Sequence, residues 1–241
     1  MKKKYSILVF IAIGLLAFSA CSSENEEKGK NTQLSVTTDI ATRSVITGTA
    51  FSGGDEIGVY ALNSGGSAYS AASMNMRATY SGSWLFPNGS IYLNTDPATI
   101  YAYYPYASTN STLSVPIDIT NNATTGQTDY LYGAGTATVN SDSPTAHIKF
   151  NHALARLTFN IKLSNISTLT NLLTDVSLKN TSIGDTAVAV KGNMNVQSGS
   201  IKRTINTSAT IDQSMKTTLD SLKKTSVDML VMPVSVNKNM T

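Results

Sequence analysis

Apolar and polar side chains alternate with a period of two along most of this sequence. The longest alternating run covers residues 153–163, where Leu157 and Phe159 share one face and Arg156 and Thr158 share the other. A period of two is that of a half-buried β-strand, whereas an amphipathic helix repeats every 3.6 residues. The run therefore predicts one long strand whose apolar face lies in a core.

Shorter runs of the same kind predict further strands, and polar turns separate them. They cover residues 34–38, 56–62, 76–80, 98–106, 128–132, 146–150, 176–179, 187–190 and 227–236. Ser, Thr and Asn make up about a third of the chain, and such residues favour strands and turns over helix interiors. Only residues 167–173 and 213–223 are expected to form short helices. The sequence predicts an all-β fold of antiparallel β-sandwiches.

The length of 241 residues exceeds the usual size of a single core and favours two domains. The strongest break in mid-chain is Ser141-Asp142-Ser143-Pro144. We therefore expect a division into four parts. These are a signal peptide (1–20), a lipidated flexible tether (21–32), an N-terminal β-sandwich domain (33–144) and a C-terminal β-sandwich domain (145–241).

The charge balance argues against a nucleic-acid-binding protein. The formal net charge of +3 arises from 18 basic and 15 acidic residues, and Lys2, Lys3 and Lys4 account for the whole excess. No net positive field then remains on the rest of the chain to attract a phosphate backbone. The single cysteine rules out a disulfide framework and a cysteine-based zinc site. We expect neither a metal nor a cofactor.

The N-terminus has the pattern of an export signal. Three lysines precede sixteen uncharged residues, Tyr5 to Ala20, which would span about 24 Å as a helix and fall short of a bilayer core of about 30 Å. A cleaved signal peptide is the interpretation. Cys21 follows small residues at its end, which resembles the lipobox of bacterial lipoproteins, so Cys21 is the predicted lipidation site and palmitate a predicted modification.

The segment behind Cys21 is polar throughout and predicts a flexible tether. Its acidic cluster, Glu24-Asn25-Glu26-Glu27, resembles the signal that sends some lipoproteins to the outer face of the outer membrane. A solvated linker without such a signal is the alternative.

The two histidines, His147 and His152, do not form a recognisable catalytic or metal-binding motif. The sequence has neither a G-x-S-x-G elbow nor an H-E-x-x-H zinc helix. A spacing of five places the two side chains on opposite faces of a strand. His152 is therefore interpreted as a packed residue at the domain join. A carboxylate pair for glycosidase chemistry stays open from sequence alone, but the protein is not expected to be an enzyme.

A tyrosine-rich strand offers two interpretations. Tyr101, Tyr103, Tyr104 and Tyr106 could stack on sugar rings, or they could fill the space between sheets and cover its rim. We favour core and rim. The first interpretation supports an alternative function, that of a monomeric glycan-binding surface lipoprotein.

Four ordered blocks of the sequence resemble signatures of the fimbrillin (Mfa-like) family. They are residues 51–61 (FSGGDEIGVYA), 100–106 (IYAYYPY), 129–133 (DYLYG) and 148–159 (IKFNHALARLTF). The resemblance implies a lipoprotein precursor of type V pili with two transthyretin-like β-sandwich domains. It further implies an outer-membrane, cell-surface location in a fimbrium, a role in cell adhesion, and assembly with other fimbrial subunits by strand exchange.

The resemblance also implies maturation by a trypsin-like protease that cuts after a basic residue. Arg43, followed by Ser44, matches that position, since no other arginine precedes Arg77. An ordinary exposed basic residue is the alternative. A cut there would remove a short alternating strand in which Leu34 and Val36 share one face. Another subunit's strand could then fill the groove.

Two further expectations come from the resemblance. Family subunits usually continue past the strand ending at Val234, whereas this sequence ends at Thr241, so the second domain is expected to be truncated or to accept a strand without donating one. Asp185-Thr186-Ala187 and Asp220-Ser221-Leu222 resemble a tripeptide that is O-glycosylated in some of these bacteria, which predicts modification of Thr186 and Ser221. A host or glycan ligand is a further expected partner.

Overall fold

The computed structural model describes residues 31–41, 50–120, 126–164, 171–179, 188–204, 209–219 and 224–234. Within these ranges the chain forms β-strands and no helix. The strands are β1 (Thr32–Gln33), β2 (Ser35–Ile40), β3 (Glu56–Asn63), β4 (Met76–Tyr80), β5 (Trp84–Leu85), β6 (Tyr92–Leu93), β7 (Ala98–Tyr104), β8 (Ser114–Asp118), β9 (Leu131–Gly135), β10 (Thr145–His152), β11 (Ala155–Ile161), β12 (Leu172–Lys179), β13 (Lys191–Asn195), β14 (Ile201–Thr204), β15 (Thr210–Thr218) and β16 (Thr225–Val231).

The largest sheet has seven strands in the order β2-β10-β9-β7-β3-β4-β5. Its pairings are antiparallel except for β2 with β10, which run parallel. There are also four smaller antiparallel sheets in the described chain: β1 with β6, β11 with β16, β12 with β15, and β8 with β13 and β14. The prediction of an all-β fold with antiparallel sheets is confirmed, and the transthyretin-like topology stays a prediction.

Two apolar clusters lie against opposite faces of the large sheet. On β3, Ile57, Val59 and Ala61 face the first cluster, whereas Tyr60 faces the second. Successive side chains of a strand point to opposite faces, so β3 is buried on both sides, and six of its eight residues are buried. Tyr103 on the neighbouring β7 also belongs to the second cluster. The centre of the sheet therefore contributes to both cores.

Both helix predictions are wrong within the described residues. The expected helix at 167–173 overlaps β12, which begins at Leu172, and the expected helix at 213–223 overlaps β15. These two strands pair with each other in an antiparallel ladder that contains an irregularity between Leu173 and Asp175. Each strand gains its hydrogen bonds and its packing from the other, and tertiary context of this kind overrides weak local propensity.

The long strand predicted at 153–163 is shorter than expected, and none of its residues in β11 is fully buried. The chain bends at Ala153 and Leu154 and then forms β11, which pairs with β16. Phe159 packs partly buried against the second cluster, but Leu157 is 39% exposed, so its predicted core position is wrong. The bend shifts the phase of the alternation, because the inward positions are even-numbered in β10 and odd-numbered in β11.

The change from one sheet to another falls at this bend. β10 belongs to the large sheet together with strands that precede residue 144, although the expected C-terminal domain begins at residue 145. Conversely, β8 pairs with β13 of the C-terminal half. Thr32, the last residue of the predicted tether, lies in β1. The division into independently folding domains stays a prediction.

Candidate functional site

One edge of the large sheet is formed by β2. Of the two residues predicted to mark a displaceable strand, Val36 lies in β2 and Leu34 directly precedes it. β2 has one neighbour in the sheet, β10, and pairs with it in parallel from Ser35 opposite Thr145 to Ile40 opposite Phe150. Past the end of the strand, the Ala41 N–H donates to the Phe150 carbonyl at 2.8 Å. The strand is therefore held by main-chain hydrogen bonds along one side.

The inward side chains of this segment are part of the first core. Leu34 is 2% exposed and Val36 is 5% exposed, and both belong to the cluster that contains Ile148 and Phe150. Burying one such aliphatic side chain contributes about 1.5–3 kcal/mol. Just before β2, the Leu34 N–H donates to the Ile91 carbonyl at 2.8 Å. Loss of the segment would leave an apolar groove along β10.

β2 also makes side-chain contacts. The imidazole of His147 lies 3.0 Å from Thr37 Oγ1 through Nδ1 and 3.1 Å from Asp39 Oδ2 through Nε2, on an exposed face. Exposed pairs of this kind contribute little to stability. The Trp84 indole N–H donates to Thr38 Oγ1 at 2.9 Å. Because Trp84 belongs to β5, the far edge of the sheet, the groove would be bounded by β10 and β5.

Several predicted sites lie outside the described residues. These are the lipidation site Cys21, the cleavage site Arg43-Ser44, and the glycosylation sites Thr186 and Ser221. Their roles stay predictions. Ala41 and Ala50, on either side of the segment that contains Arg43, are described, and Ala50 is exposed.

The tyrosine-rich strand does not form an exposed row. Tyr103 is fully buried, and Tyr101, Tyr104 and Tyr106 are half-buried. The Tyr103 ring packs against Tyr60 with a centroid distance of 5.9 Å. Burial raises the pKa of the Tyr60 hydroxyl far above its ordinary value, and neighbouring tyrosines raise it further. This arrangement agrees with the core and rim interpretation.

A buried pair of a carboxyl group and an imidazole, which the sequence pattern did not predict, lies near the end of β10. His152 Nδ1 is 2.7 Å from Asp129 Oδ2, and the two side chains are 10% and 7% exposed. Burial, the larger effect, raises the pKa of the Asp129 carboxyl, while the nearby His152 lowers it. The pair lines a cavity of about 350 Å³ beside Ile40 and Phe51. Asp129 opens the DYLYG block, but nothing in that block indicates a histidine partner.

A second cavity, of about 410 Å³, is mainly apolar and lies between β11, β12 and β16. Its lining includes Leu157, Leu178, Val231 and Val234. Leu157 and Val234 are among the exposed large apolar side chains of the described chain. The exposure of Leu157, unexpected from the alternation, follows from this opening.

Neither metal-ion clusters nor membrane-spanning helices occur in the described residues. No three His, Cys, Asp or Glu side chains there come together in a way that could hold a metal ion. Within the same ranges, no helix is long and apolar enough to cross a bilayer.

These features define a class of protein. Its members are β-rich, and an edge strand of the main sheet completes an apolar core. The chain belongs to the fimbrillin-like family, whose model matches residues 42–241. Family membership supports a role as a fimbrial subunit or accessory protein. None of the curated proteins compared with the chain matches it.

Solved structures with a similar fold come from species of Bacteroides. A protein assigned to cell adhesion from Bacteroides ovatus has 22% identity and a TM-score of 0.59, with 84% of this chain and 78% of that chain covered. A second such protein, from Bacteroides uniformis, has 21% identity and a TM-score of 0.59, with 85% and 76% covered. A fimbrial protein from Bacteroides vulgatus has 15% identity and the same TM-score, with 84% and 77% covered. At these identities the likeness concerns the fold.

Proposed function

We propose that the protein is a structural subunit or accessory adhesin of a cell-surface fimbria. It is exported as an outer-membrane lipoprotein through Cys21 and joins other fimbrial subunits by strand exchange after cleavage behind Arg43. One observation carries the proposal: β2 is an edge strand with a single neighbour, yet the segment places Leu34 and Val36 in the first core. Such a strand can be replaced by another of similar pattern without rearranging the remaining six strands.

The consequence of trimming follows from the contacts of β2. Cleavage behind Arg43 would separate β2 covalently from β3 and the rest of the sheet, so that only non-covalent contacts would retain it. Release would expose the inward faces of Ile148 and Phe150 together with the unpaired edge of β10. An exposed edge over an apolar groove is the arrangement that accepts an added strand.

Limited trypsin digestion tests the cleavage step. We expect trypsin to cut behind Arg43 before it cuts at the other basic residues of the folded domain, because a connection between an edge strand and the core opens more easily than a paired strand. Arg77, in contrast, lies within β4 and forms an ion pair with Glu56 at 3.3 Å. Mass spectrometry of the early fragments identifies the site. Arg43→Ala should abolish this cut, and the matched variant Arg43→Lys should keep it.

Peptide exchange tests the assembly step. A synthetic peptide of residues 32–41 should bind the trimmed protein and raise its melting temperature, since it restores the apolar contacts and the backbone pairing of β2. A peptide carrying Leu34→Asp and Val36→Asp should not bind. Mixed with a longer fimbrillin-like subunit, the trimmed protein should form hetero-oligomers in size-exclusion chromatography, and the Arg43→Ala protein treated with trypsin should not.

The strand-exchange mechanism is wrong if the trimmed protein unfolds or stays monomeric with every peptide and partner tried. Saturable oligosaccharide binding by the untrimmed monomer would then favour the glycan-binding function instead.

The lipid anchor is tested separately. Cys21→Ser should remove labelled palmitate from the protein and shift it from the detergent phase to the aqueous phase, because Cys21 is the only thiol in the chain and anchoring depends on acyl chains. Ser23→Ala, in the same tether, is the matched control and should keep the label. Unchanged labelling of Cys21→Ser would end the lipoprotein proposal.

A further inference from the structure

The cavity at the Asp129–His152 pair has two carboxyl groups in its wall. Asp55 and Asp129 both line it, and among the described lining residues there is no lysine or arginine. Phe51 and Tyr104 add aromatic surface to the same wall. Aromatic rings attract cations through the negative charge of their faces. The carboxyl groups and the aromatic rings together favour a cationic ligand in this cavity.

Two buried polar atoms of this pair have no hydrogen-bond partner among the described residues. These are Asp129 Oδ1 and His152 Nε2. His152 Nδ1 lies against the Asp129 carboxylate, and a neutral imidazole with its proton on Nδ1 would keep a lone pair on Nε2. A buried polar atom without a partner is costly. Both atoms therefore need an N–H or O–H donor.

Two described side chains that line the cavity, Gln127 and Tyr104, already have other hydrogen-bond partners. Gln127 uses its Nε2 to donate to the Ile119 and Leu230 carbonyls at 3.1 and 2.8 Å, and its Oε1 accepts from the Leu230 N–H at 2.7 Å. The Tyr104 hydroxyl donates to Asp55 Oδ1 at 3.2 Å. The donor to Asp129 and His152 must then come from outside this set.

We propose that this cavity binds a guanidinium group, which uses its N–H donors to reach Asp129 Oδ1 and His152 Nε2. A guanidinium presents five donors in a rigid planar fork, keeps its charge, and stacks on aromatic rings. A metal ion fits less well, because the described residues provide no cluster of three ligating side chains. The group belongs either to a free alkylguanidine or to an arginine side chain of a peptide.

The two histidines of the chain provide an internal control for a binding experiment. Butylguanidine is added to the purified full chain while imidazole resonances are followed by NMR. The His152 signals should move in a saturable manner, and the His147 signals, which arise from the exposed face of β10, should not. Butylurea, which has a similar shape without the charge, should leave both unchanged. This comparison uses the unaltered protein and does not depend on any variant folding.

Variants and a second ligand complete the test. Asp129→Asn should weaken butylguanidine binding about tenfold, the effect of losing one charge-assisted hydrogen bond, whereas Asp142→Asn on the exposed surface should not change it. The second ligand is the peptide acetyl-Gly-Arg-Gly-amide. Stronger binding of the peptide would identify an arginine side chain as the natural source of the group, and stronger binding of butylguanidine would identify a free alkylguanidine. Either result supports the proposal. No saturable shift at His152, or equal shifts with butylurea, would overturn it. Neither result bears on trimming or strand exchange.

Discussion

Phe150→Ala is expected to lower the free energy of unfolding by about 3–5 kcal/mol, the usual cost of truncating a buried phenylalanine. Phe150 is fully buried in the first core. Its ring packs edge to face against Phe51 with a centroid distance of 5.3 Å, and its backbone lies opposite Ile40 of β2 and Gly133 of β9. The substitution therefore opens a cavity where three strands meet.

Urea denaturation followed by circular dichroism measures this loss. Lys149→Ala, the exposed neighbour on the same strand, is the matched control and should unfold close to the unaltered protein. Phe159→Ala should cost clearly less than Phe150→Ala, because Phe159 is only partly buried. Equal losses for the two phenylalanines would contradict the burial described for β10 and β11. Since Phe150 also supports β2, its truncation should accelerate trypsin cleavage behind Arg43.

Gly58→Ala is expected to destabilise the protein by about 1–3 kcal/mol through overpacking. A Cβ at this position would lie 2.1 Å from Cε1 of Tyr103 and 2.6 Å from Oδ1 of Asn75. The ring cannot retreat easily, because its hydroxyl is 2.9 Å from Asn75 Oδ1 and accepts the Asn110 side-chain N–H at 2.8 Å and the Ala107 backbone N–H at 3.0 Å. Relief of the clash would break this buried network.

Thermal unfolding distinguishes this prediction from a general effect of replacing glycine. Gly53, five residues earlier, is the control, since a Cβ there would meet nothing within 4 Å. Gly53→Ala should leave the melting temperature nearly unchanged, and Gly58→Ala should lower it by several degrees, as expected for a loss of this size in a chain of this length. Similar melting temperatures for the two variants would refute the close packing of β3 against Tyr103.

Local patterns were sufficient for most strands of the large sheet, although they missed β5 and placed β9 three residues too early. In β10, Ala146, Ile148 and Phe150 are buried while the residues between them are exposed, as the period of two predicts. The same rule failed at Leu157, because periodicity reports which residues share a face but not where the chain bends. The predicted helices at β12 and β15 failed because the stabilising partner of each strand lies about 40 residues away, beyond any local window.

The candidate sites divide in the same way. Leu34 and Val36 could be predicted as one buried face, since the relevant pattern lies within three residues. The pairing of Asp129 with His152 could not, because it joins positions 23 residues apart through the antiparallel pairing of β9 with β10. The register between two strands decides whether a carboxylate and an imidazole come within reach of each other. The residue pattern of a single strand does not contain that register.

The parallel pairing of β2 with β10 also has a consequence for the order in which the sheet forms. Thr37 and His147 are register partners 110 positions apart, so the edge strand joins its neighbour by closing one of the longest loops in the fold. Long-range contacts of this kind form slowly because loop closure opposes them. β10, in contrast, pairs with the nearby β9. We therefore expect the other six strands of the sheet to assemble first and β2 to dock last, so that folding itself passes through the open-groove arrangement that an incoming strand would meet.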